Sequence, residues 1–423
     1  MTHCDEITCR FFDKDRWEKA LTVGVDKGIN LALLRRMATP QALVSLYRDI
    51  TNRCYRPMPP RVALVPKDLH GNFRTVYVNA PQDRIILAIV NDLLFSLTPD
   101  WVHPACKSYI SGVGCGKVVI EASQRISTMR LAGKVVGWKG DISKYFDSVP
   151  IEFIDQAFDR VEQRYGQSHL IHVVRDYYHS DEYVDRNGNI AHKYMSLRQG
   201  CAVSAWLADV LLHHIDERLA QMQGYYVRYS DDMLFVGPDH ERAMAVLSEE
   251  LHKMGLTLNP DKVQPLRPDR WFSFLGFSIR GRQISLSQGR LERFRQVVDR
   301  VTRRAHSWQQ AVRRVNYALY HGHEDYSWAR SVLPVINSKH DIDTLNAYVM
   351  DAIRAAHTGH RRIGGLGYNS EGTDGCIVRG KGRHVATNRA RMPGRLTGYL
   401  SLGCMRNALK TSREAYETLV RQM

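Results

Sequence analysis

The stretch Tyr225-Tyr226-Val227-Arg228-Tyr229-Ser230-Asp231-Asp232-Met233-Leu234-Phe235-Val236 decides the fold. Two apolar runs rich in aromatic and β-branched residues flank Ser-Asp-Asp, so the segment is expected to form a pair of short strands with its acids at the bend. Adjacent carboxylates repel one another and gain nothing from packing. Asp-Asp also serves as an ordinary turn, but an acidic tip between apolar strands makes most sense where a cation lies against it.

Working outward, a short apolar strand over 135–140 runs into Asp141-Ile142-Ser143-Lys144-Tyr145-Phe146-Asp147. A strand-end carboxylate beside a hairpin-tip carboxylate can hold two hard divalent ions. Such ions activate a 3′-hydroxyl and stabilise a leaving pyrophosphate in in-line nucleotidyl transfer. Mg²⁺ suits this chemistry because it prefers oxygen ligands, retained water and substrate phosphates.

The rest of the chain is read around this pair. Residues 1–60 have mostly helical periodicity and close on Pro57-Met58-Pro59-Pro60. Strands are expected over 61–67 and 73–78 as a hairpin, and helices over 82–97, 117–131 and 151–179. An amphipathic helix is expected over 204–219, and another over 239–254 that stops at Gly255. Phe272–Ile279 and Ile284–Leu286 are expected to pair around Gly281. Beyond residue 288 the pattern is helical and Arg-rich, and residues 359–382, with eight glycines, are expected to be irregular.

Lys plus Arg number 59 against 44 Asp plus Glu, a net charge of +15 that attracts polyanions. Between residues 280 and 330 eleven arginines stand against four acids, and between 354 and 395 nine basic residues against two. Tyr317, Tyr320, Tyr326, Trp328, Tyr348 and Tyr368 are interleaved, some expected in a core and some free to stack on unpaired bases. No apolar run is long enough for a membrane span, and the first residues lack a secretory leader pattern, so a cytoplasmic location and no membrane partner are expected. The eight cysteines form no CxxC pair and are expected as reduced, scattered thiols. His321, His323, His357 and His360 lack the cysteine or carboxylate company of a metal site.

The order of motifs resembles that of a reverse transcriptase. Asp141–Asp147 is followed by Arg198-Gln199-Gly200-Cys201-Ala202-Val203-Ser204, then Tyr229-Ser230-Asp231-Asp232, Asn259-Pro260-Asp261-Lys262 and Phe274-Leu275-Gly276-Phe277. The likeness covers about residues 55–290. It implies an α+β right-hand polymerase with fingers, an antiparallel palm sheet, a helical thumb and a short basic extension. The expected divisions are a helical region 1–60, fingers 61–135, palm with remaining fingers elements 136–287, thumb 288–355 and extension 356–423.

The resemblance also implies roles. Asp141, Asp231 and Asp232, with the Ile142 carbonyl, would hold two Mg²⁺ ions, with Mn²⁺ a substitute. Lys67 and Arg74 would grip the dNTP triphosphate. Gln199, Gly200 and Tyr229 would line the nascent pair, and Lys262 would act at the leaving phosphates. Phe274, Leu275, Gly276 and Phe277 would form the primer grip. Phe146 would sit under the sugar and exclude a 2′-hydroxyl, whereas the carboxylate Asp147 follows one residue later.

Within the family, the chain departs from intron and diversity-generating patterns: Arg198 stands where Pro precedes Gln-Gly, and Ala205 where Pro follows Ser. There is no Asn-Ala-x-x-His of the retron kind, and Arg395-Leu396-Thr397-Gly398 only echoes the retron's other signature. What remains is similar to the stand-alone bacterial defence-associated reverse transcriptases, which implies copying of a structured non-coding RNA into cDNA in antiphage defence. A retron or group II intron-derived enzyme is the alternative within the family. A non-catalytic RNA-binding protein is the alternative outside it.

Overall fold

The computed structural model describes residues 5–23, 30–66, 71–129, 133–267, 270–321, 327–368, 377–382 and 396–421. Among these no helix is long and apolar enough to cross a membrane. The chain divides into two compact units, residues 1–111 with 138–264 and residues 112–137 with 265–423.

The first unit holds the acidic motifs. Its centre is the helix Pro81–Leu97, started by a proline whose missing N–H is not needed in the first turn. Ile85, Ile86, Leu87, Ile89, Val90, Leu93 and Leu94 are buried around most of its circumference. A helix apolar on nearly all sides must be wrapped. The N-terminal helices, the helix Val203–Val210 and the aromatic side chains of Phe158, Tyr178 and Trp206 join it in one core. Phe158 stacks on Trp206 at 6.0 Å, and the indole N–H of Trp206 donates to Thr98 Oγ1 at 2.9 Å. Each such side chain contributes roughly 1.5–3 kcal/mol by leaving water.

Two sheets stand on this core. In the first, β1 (Arg61–Pro66) pairs antiparallel with β2 (Phe73–Val78), from Arg61↔Val78 to Pro66↔Phe73. The sheet continues from β1 into two short strands, Glu182–Val184 and Ile190–His192. In the second, β3 (Gly137–Asp141) lies beside the hairpin of β4 (Tyr225–Tyr229) and β5 (Asp232–Val236), with β5 next to β3.

Several elements differ from the sequence expectation. The 151–179 helix is two helices, Ile151–Tyr165 and His169–His179, parted at Gly166. The single helix expected over 204–219 is also two, Val203–Val210 and His213–Ala220. No Gly or Pro marks that break. Arg228 causes it: its guanidinium donates to the carbonyls of Ala208 at 3.3 Å and Asp209 at 3.0 Å, the acceptors that continuing helix N–H groups would need.

The second unit begins with the helix Cys115–Thr128. It continues as a three-stranded meander, Phe272–Phe274, Phe277–Arg280 and Gln283–Leu286, then helices at Gln288–Arg303, Trp308–Asn316, Lys339–Thr358, Leu402–Thr411 and Arg413–Arg421. Phe272–Ile279 is therefore not one strand. It folds back at Leu275 and Gly276, with φ of 48° and 81°, so that Phe274 faces Phe277 across a two-residue turn. The φ of 81° at Gly276 favours glycine, and a Cβ there would also displace the Arg290 guanidinium, 2.5 Å away. Residues 359–382 are not wholly irregular either: Ile363–Tyr368 pairs antiparallel with Ile377–Lys381.

Of the aromatic residues interleaved with the arginines, Tyr320, Tyr348 and Trp328 are buried, Tyr317 is 67% exposed, and Tyr326 lies outside the described residues. The buried three belong to the unit's core, where hydroxyls find internal partners: Tyr320 donates to Leu400 O at 2.6 Å and Tyr348 to Asp299 at 2.8 Å. Cys54, Cys106, Cys115, Cys201 and Cys404 are free thiols. Cys9 departs from the expectation of reduced cysteines and is disulfide-bonded.

Candidate active site

The acidic cluster is assembled by backbone pairing. Tyr229 pairs with Asp232, leaving Ser230 and Asp231 as the turn, and Ser230 adopts φ of 57°. The Ile142 N–H donates to the Asp231 carbonyl at 3.4 Å, which sets the end of β3 against the turn. Asn259 N–H donates to the Asp141 carbonyl at 2.8 Å, bringing in the Asn259–Lys262 motif, where the Asn259 side chain accepts from Asp261 N–H. The Lys262 ammonium then lies 2.7 Å from Asp141 Oδ2. Four sequence-predicted residues, Asp141, Asp231, Asp232 and Lys262, are thereby gathered with Ile142, which is fully buried.

The electrostatics of this cluster are strained. Burial and the nearby carboxylates of Asp141 and Asp232 push the Asp231 pKa up to about 6. Burial likewise raises that of Asp232, with Lys139 opposing and Asp141 adding to the rise. Three carboxylates thus face two ammonium groups, Lys139 and Lys262. Among the described residues no three His, Cys, Asp or Glu side chains form a ready-made metal cage. The donors are all oxygen and the cluster carries excess negative charge. That fits Mg²⁺, which takes one or two protein carboxylates and completes its shell with water and substrate phosphates.

A buried network supports the turn, and the sequence reading did not single it out. Arg228 is fully buried, with its guanidinium 2.6 Å from Asp216 Oδ2 and 3.7 Å from Asp209 Oδ1. It also donates to the Ser230 carbonyl at 3.1 Å, while the Ser108 hydroxyl accepts from Ser230 N–H at 3.0 Å and donates to Asp209 at 2.6 Å. Burial pushes the Asp209 carboxyl up to about 6, opposed by Arg228. The available signal was two aspartates seven residues apart on an otherwise apolar helical face.

Phe146 lies in the short helix Tyr145–Ser148, partly buried against the core and edge-on to Tyr145 at 5.8 Å. Its carbonyl accepts from Leu197 N–H at 3.1 Å, and the Gln199 carbonyl accepts from Tyr77 N–H at 2.7 Å. The Gln199-Gly200 motif is therefore laced between the Phe146 loop and β2. At Gly200, φ is 108° and a Cβ would fall 2.7 Å from the Tyr77 carbonyl, so glycine is obligatory. Arg74 is exposed on β2 opposite Val65, and Lys67 lies outside the described residues. Tyr229 is partly exposed at the end of β4. Phe274, Leu275, Gly276 and Phe277 belong to the second unit, where they form the turn described above.

Known proteins show likeness to parts of this chain. The family described as "Reverse transcriptase (RNA-dependent DNA polymerase)" matches residues 65–279, just over half of the chain. The COX1/OXI3 intron 2 protein of Saccharomyces cerevisiae is 22% identical over 193 residues, 45% of this chain and 20% of that one. The chain thus spans about a fifth of the length of this curated relative. Among solved structures, apo telomerase from Candida tropicalis aligns with a TM-score of 0.44 and 12% identity, over 72% of this chain and 58% of that one. Telomerase from Candida albicans in complex with a fragment of telomeric RNA aligns with a TM-score of 0.43 and 14% identity, over 72% and 55%.

Proposed function

The protein belongs to the reverse transcriptase family, and from that premise we propose that it is an RNA-directed DNA polymerase that extends a 3′-hydroxyl with dNTPs at the Asp141–Asp231–Asp232 cluster while copying a dedicated structured non-coding RNA in antiphage defence. The observation that carries the site is the gathering of three carboxylates with Lys262, where burial first and the neighbouring carboxylates second lift Asp231 to about 6. Such crowding costs stability unless positive charge arrives with the substrate.

Asp141, Asp231 and Asp232, with the Ile142 carbonyl, would hold two Mg²⁺ ions, Mn²⁺ substituting. When bound, these ions supply a Lewis acid for the attacking hydroxyl and the leaving phosphate. Lys262, already on Asp141, brings positive charge and a proton for the pyrophosphate. Gln199 and Gly200, held against β2, form a backbone wall for the nascent pair, with Tyr229 beside them. Arg74 on β2 and, by the motif, Lys67 take the triphosphate. Phe146 blocks a 2′-hydroxyl, and Phe274–Phe277 grips the primer. In this reading residues 61–135 act as fingers, 136–287 as palm, 288–355 as thumb and 356–423 as an RNA-holding extension, in the cytoplasm.

The dedicated-RNA reading is supported by the charge of the second unit, where Arg293, Arg300 and Arg303 are exposed along one helix with no ion pair among the described residues. It is supported also by Arg198, whose φ of 56° a proline could not adopt, so this segment is built differently from the Pro-Gln-Gly pattern of intron enzymes. An intron-type enzyme is the second reading, favoured by the likeness to the yeast intron 2 protein. Replacing Asp231 and Asp232 by Ala should reduce Mg²⁺-dependent dNTP incorporation by at least ~10³ while RNA binding persists. Normal incorporation by that double variant would remove the site assignment.

A further inference from the structure

The second unit contains a cavity of about 530 Å³ that none of the roles above uses. It lies among the helix Cys115–Thr128, the hairpin residues Arg282 and Ile284, the segment around Val335, and the helix Leu402–Thr411. Its lining has two characters. Ile120, Ile284 and Val335 give an apolar floor, while Arg282, Arg406 and Lys410 give three cations, and no carboxylate lines it among the described residues.

Arg406 is the informative member. Its Nε is buried without a hydrogen-bond partner among the described residues, and burial alone lowers its pKa. Other sunken guanidiniums, Arg198 and Arg361 among them, also leave a nitrogen unpartnered, but each meets a carboxylate, a carbonyl or a ring within the chain. Arg228 has Asp216 at 2.6 Å, Arg361 has Asp299 at 2.8 Å and Asp351 at 3.1 Å, and Arg175 has Asp159 at 2.8 Å. Arg198 donates to the Ser180 carbonyl and lies over the Tyr177 ring at 4.1 Å. A partly buried guanidinium with neither a carboxylate nor an aromatic face among the described residues calls for an added anion. The neighbouring hydroxyls do not compete for that anion as donors, since Ser123 donates to Gly281 O at 2.8 Å and Thr128 to Arg125 O at 2.8 Å. Arg282 is oriented by its Nε, which donates to Ser127 Oγ at 3.3 Å.

We propose that this cavity holds one nucleotide of a bound RNA strand, its base and sugar on the Ile120–Ile284–Val335 floor and its phosphate among Arg282, Arg406 and Lys410. The volume suits a nucleotide and exceeds what a lone phosphate fills. A mixed apolar and cationic lining matches the two faces of a nucleotide, and guanidinium groups bind phosphate in a forked geometry. An RNA strand is preferred over a free nucleotide because the cavity opens on a unit whose helices carry further exposed arginines. This rests on the reading that the chain binds RNA.

The test is equilibrium RNA binding by the full chain across a range of KCl, wild type against Arg406→Gln with Lys410→Gln. The expected result is about tenfold weaker binding and a slope of log affinity against log salt shallower by about 0.7, as when one phosphate goes unneutralised. Lys410 is exposed, so Lys410→Glu alone tests the same rim without risk to the fold and should weaken binding in the same direction. A second arm titrates a free 5′-mononucleotide. If RNA affinity and slope are the same in wild type and both variants, the proposal is overturned. If the mononucleotide binds wild type but not the double variant while RNA binding is unaltered, the cavity serves a free nucleotide and the RNA proposal is again overturned. Absence of RNA binding by the wild type itself would instead remove the reading on which the proposal rests.

Discussion

Phe146 shows how far a single residue can be read. Its place five residues after Asp141 suggested a barrier under the sugar, and its ring is only partly buried, against Tyr145. A ring held by the core on one side and open on the other can block a hydroxyl without being needed to complete the core. Phe146→Ala should therefore lower the preference for dNTP over rNTP by about tenfold or more, measured as the ratio of kcat/KM values. An unchanged ratio in a folded variant would make the ring a packing residue. At this scale Asp141, Asp231 and Asp232 were legible because charged side chains interrupt apolar strands, which packing alone would never favour, whereas Lys262 was legible only through the family resemblance. Arg228, Asp209 and Asp216 were not singled out. Their charges cancel within the core, and a sequence does not display which buried groups meet. Arg198 was legible only as a departure from a pattern, and its positive φ gives the physical reason that proline is absent there.

Among the elements, the β4–β5 hairpin is short and ends in a residue of positive φ, so it needs an external brace. Arg228 provides one by joining Asp216, the Ala208 and Asp209 carbonyls and the Ser230 carbonyl through a single planar group. Removing one partner of a buried pair leaves the other uncompensated, so Arg228→Ala should cost about 3–5 kcal/mol in denaturant unfolding. Arg228→Lys keeps the charge but has no fork to reach every acceptor. It should fold, bind dNTP with a similar KM and lower kcat by roughly tenfold, because the turn carrying Asp231 is less well fixed. A lysine variant with full kcat would show that charge, not the shape of the brace, matters. The same residue explains why one expected helix is two: the periodicity of 204–219 is continuous, and the break comes from a tertiary donor that takes the helix carbonyls. The Phe272–Ile279 strand failed for a local reason. The apolar run is unbroken by Pro or by polar turn residues at Leu275-Gly276, where the alternation changes phase, and Gly281 looked the stronger bend although both are turns.

For the molecule as a whole, the net charge of +15 predicted a polyanion partner, and its placement narrows what that partner requires. Arginines concentrate on helices of the second unit, while half of the six aromatic residues interleaved among them are core, namely Tyr320, Tyr348 and Trp328. Stacking on splayed bases therefore falls to few residues, Tyr317 foremost. The helix Arg413–Arg421 is part of that core, since Tyr416 is fully buried and its hydroxyl donates to Tyr320 O at 2.6 Å. Cutting the chain near residue 355 would therefore unmake the unit rather than isolate an RNA-holding extension. Charge substitution on the intact chain is the sounder probe. Arg293, Arg300 and Arg303 are exposed, so changing all three to Gln spares the core. Charge alone would bind any RNA and fade steeply with salt, whereas a dedicated partner needs recognition of shape that outlasts high salt. RNA recovered with the wild type at elevated salt should be dominated by one species, whose sequence reappears in the cDNA made by the enzyme. The triple variant should recover much less of that species, and its salt slope should be shallower by about two, near 0.7 for each phosphate no longer neutralised. A random sample of cellular RNA from the wild type, unchanged in the variant, would point to an enzyme that copies whatever template it meets.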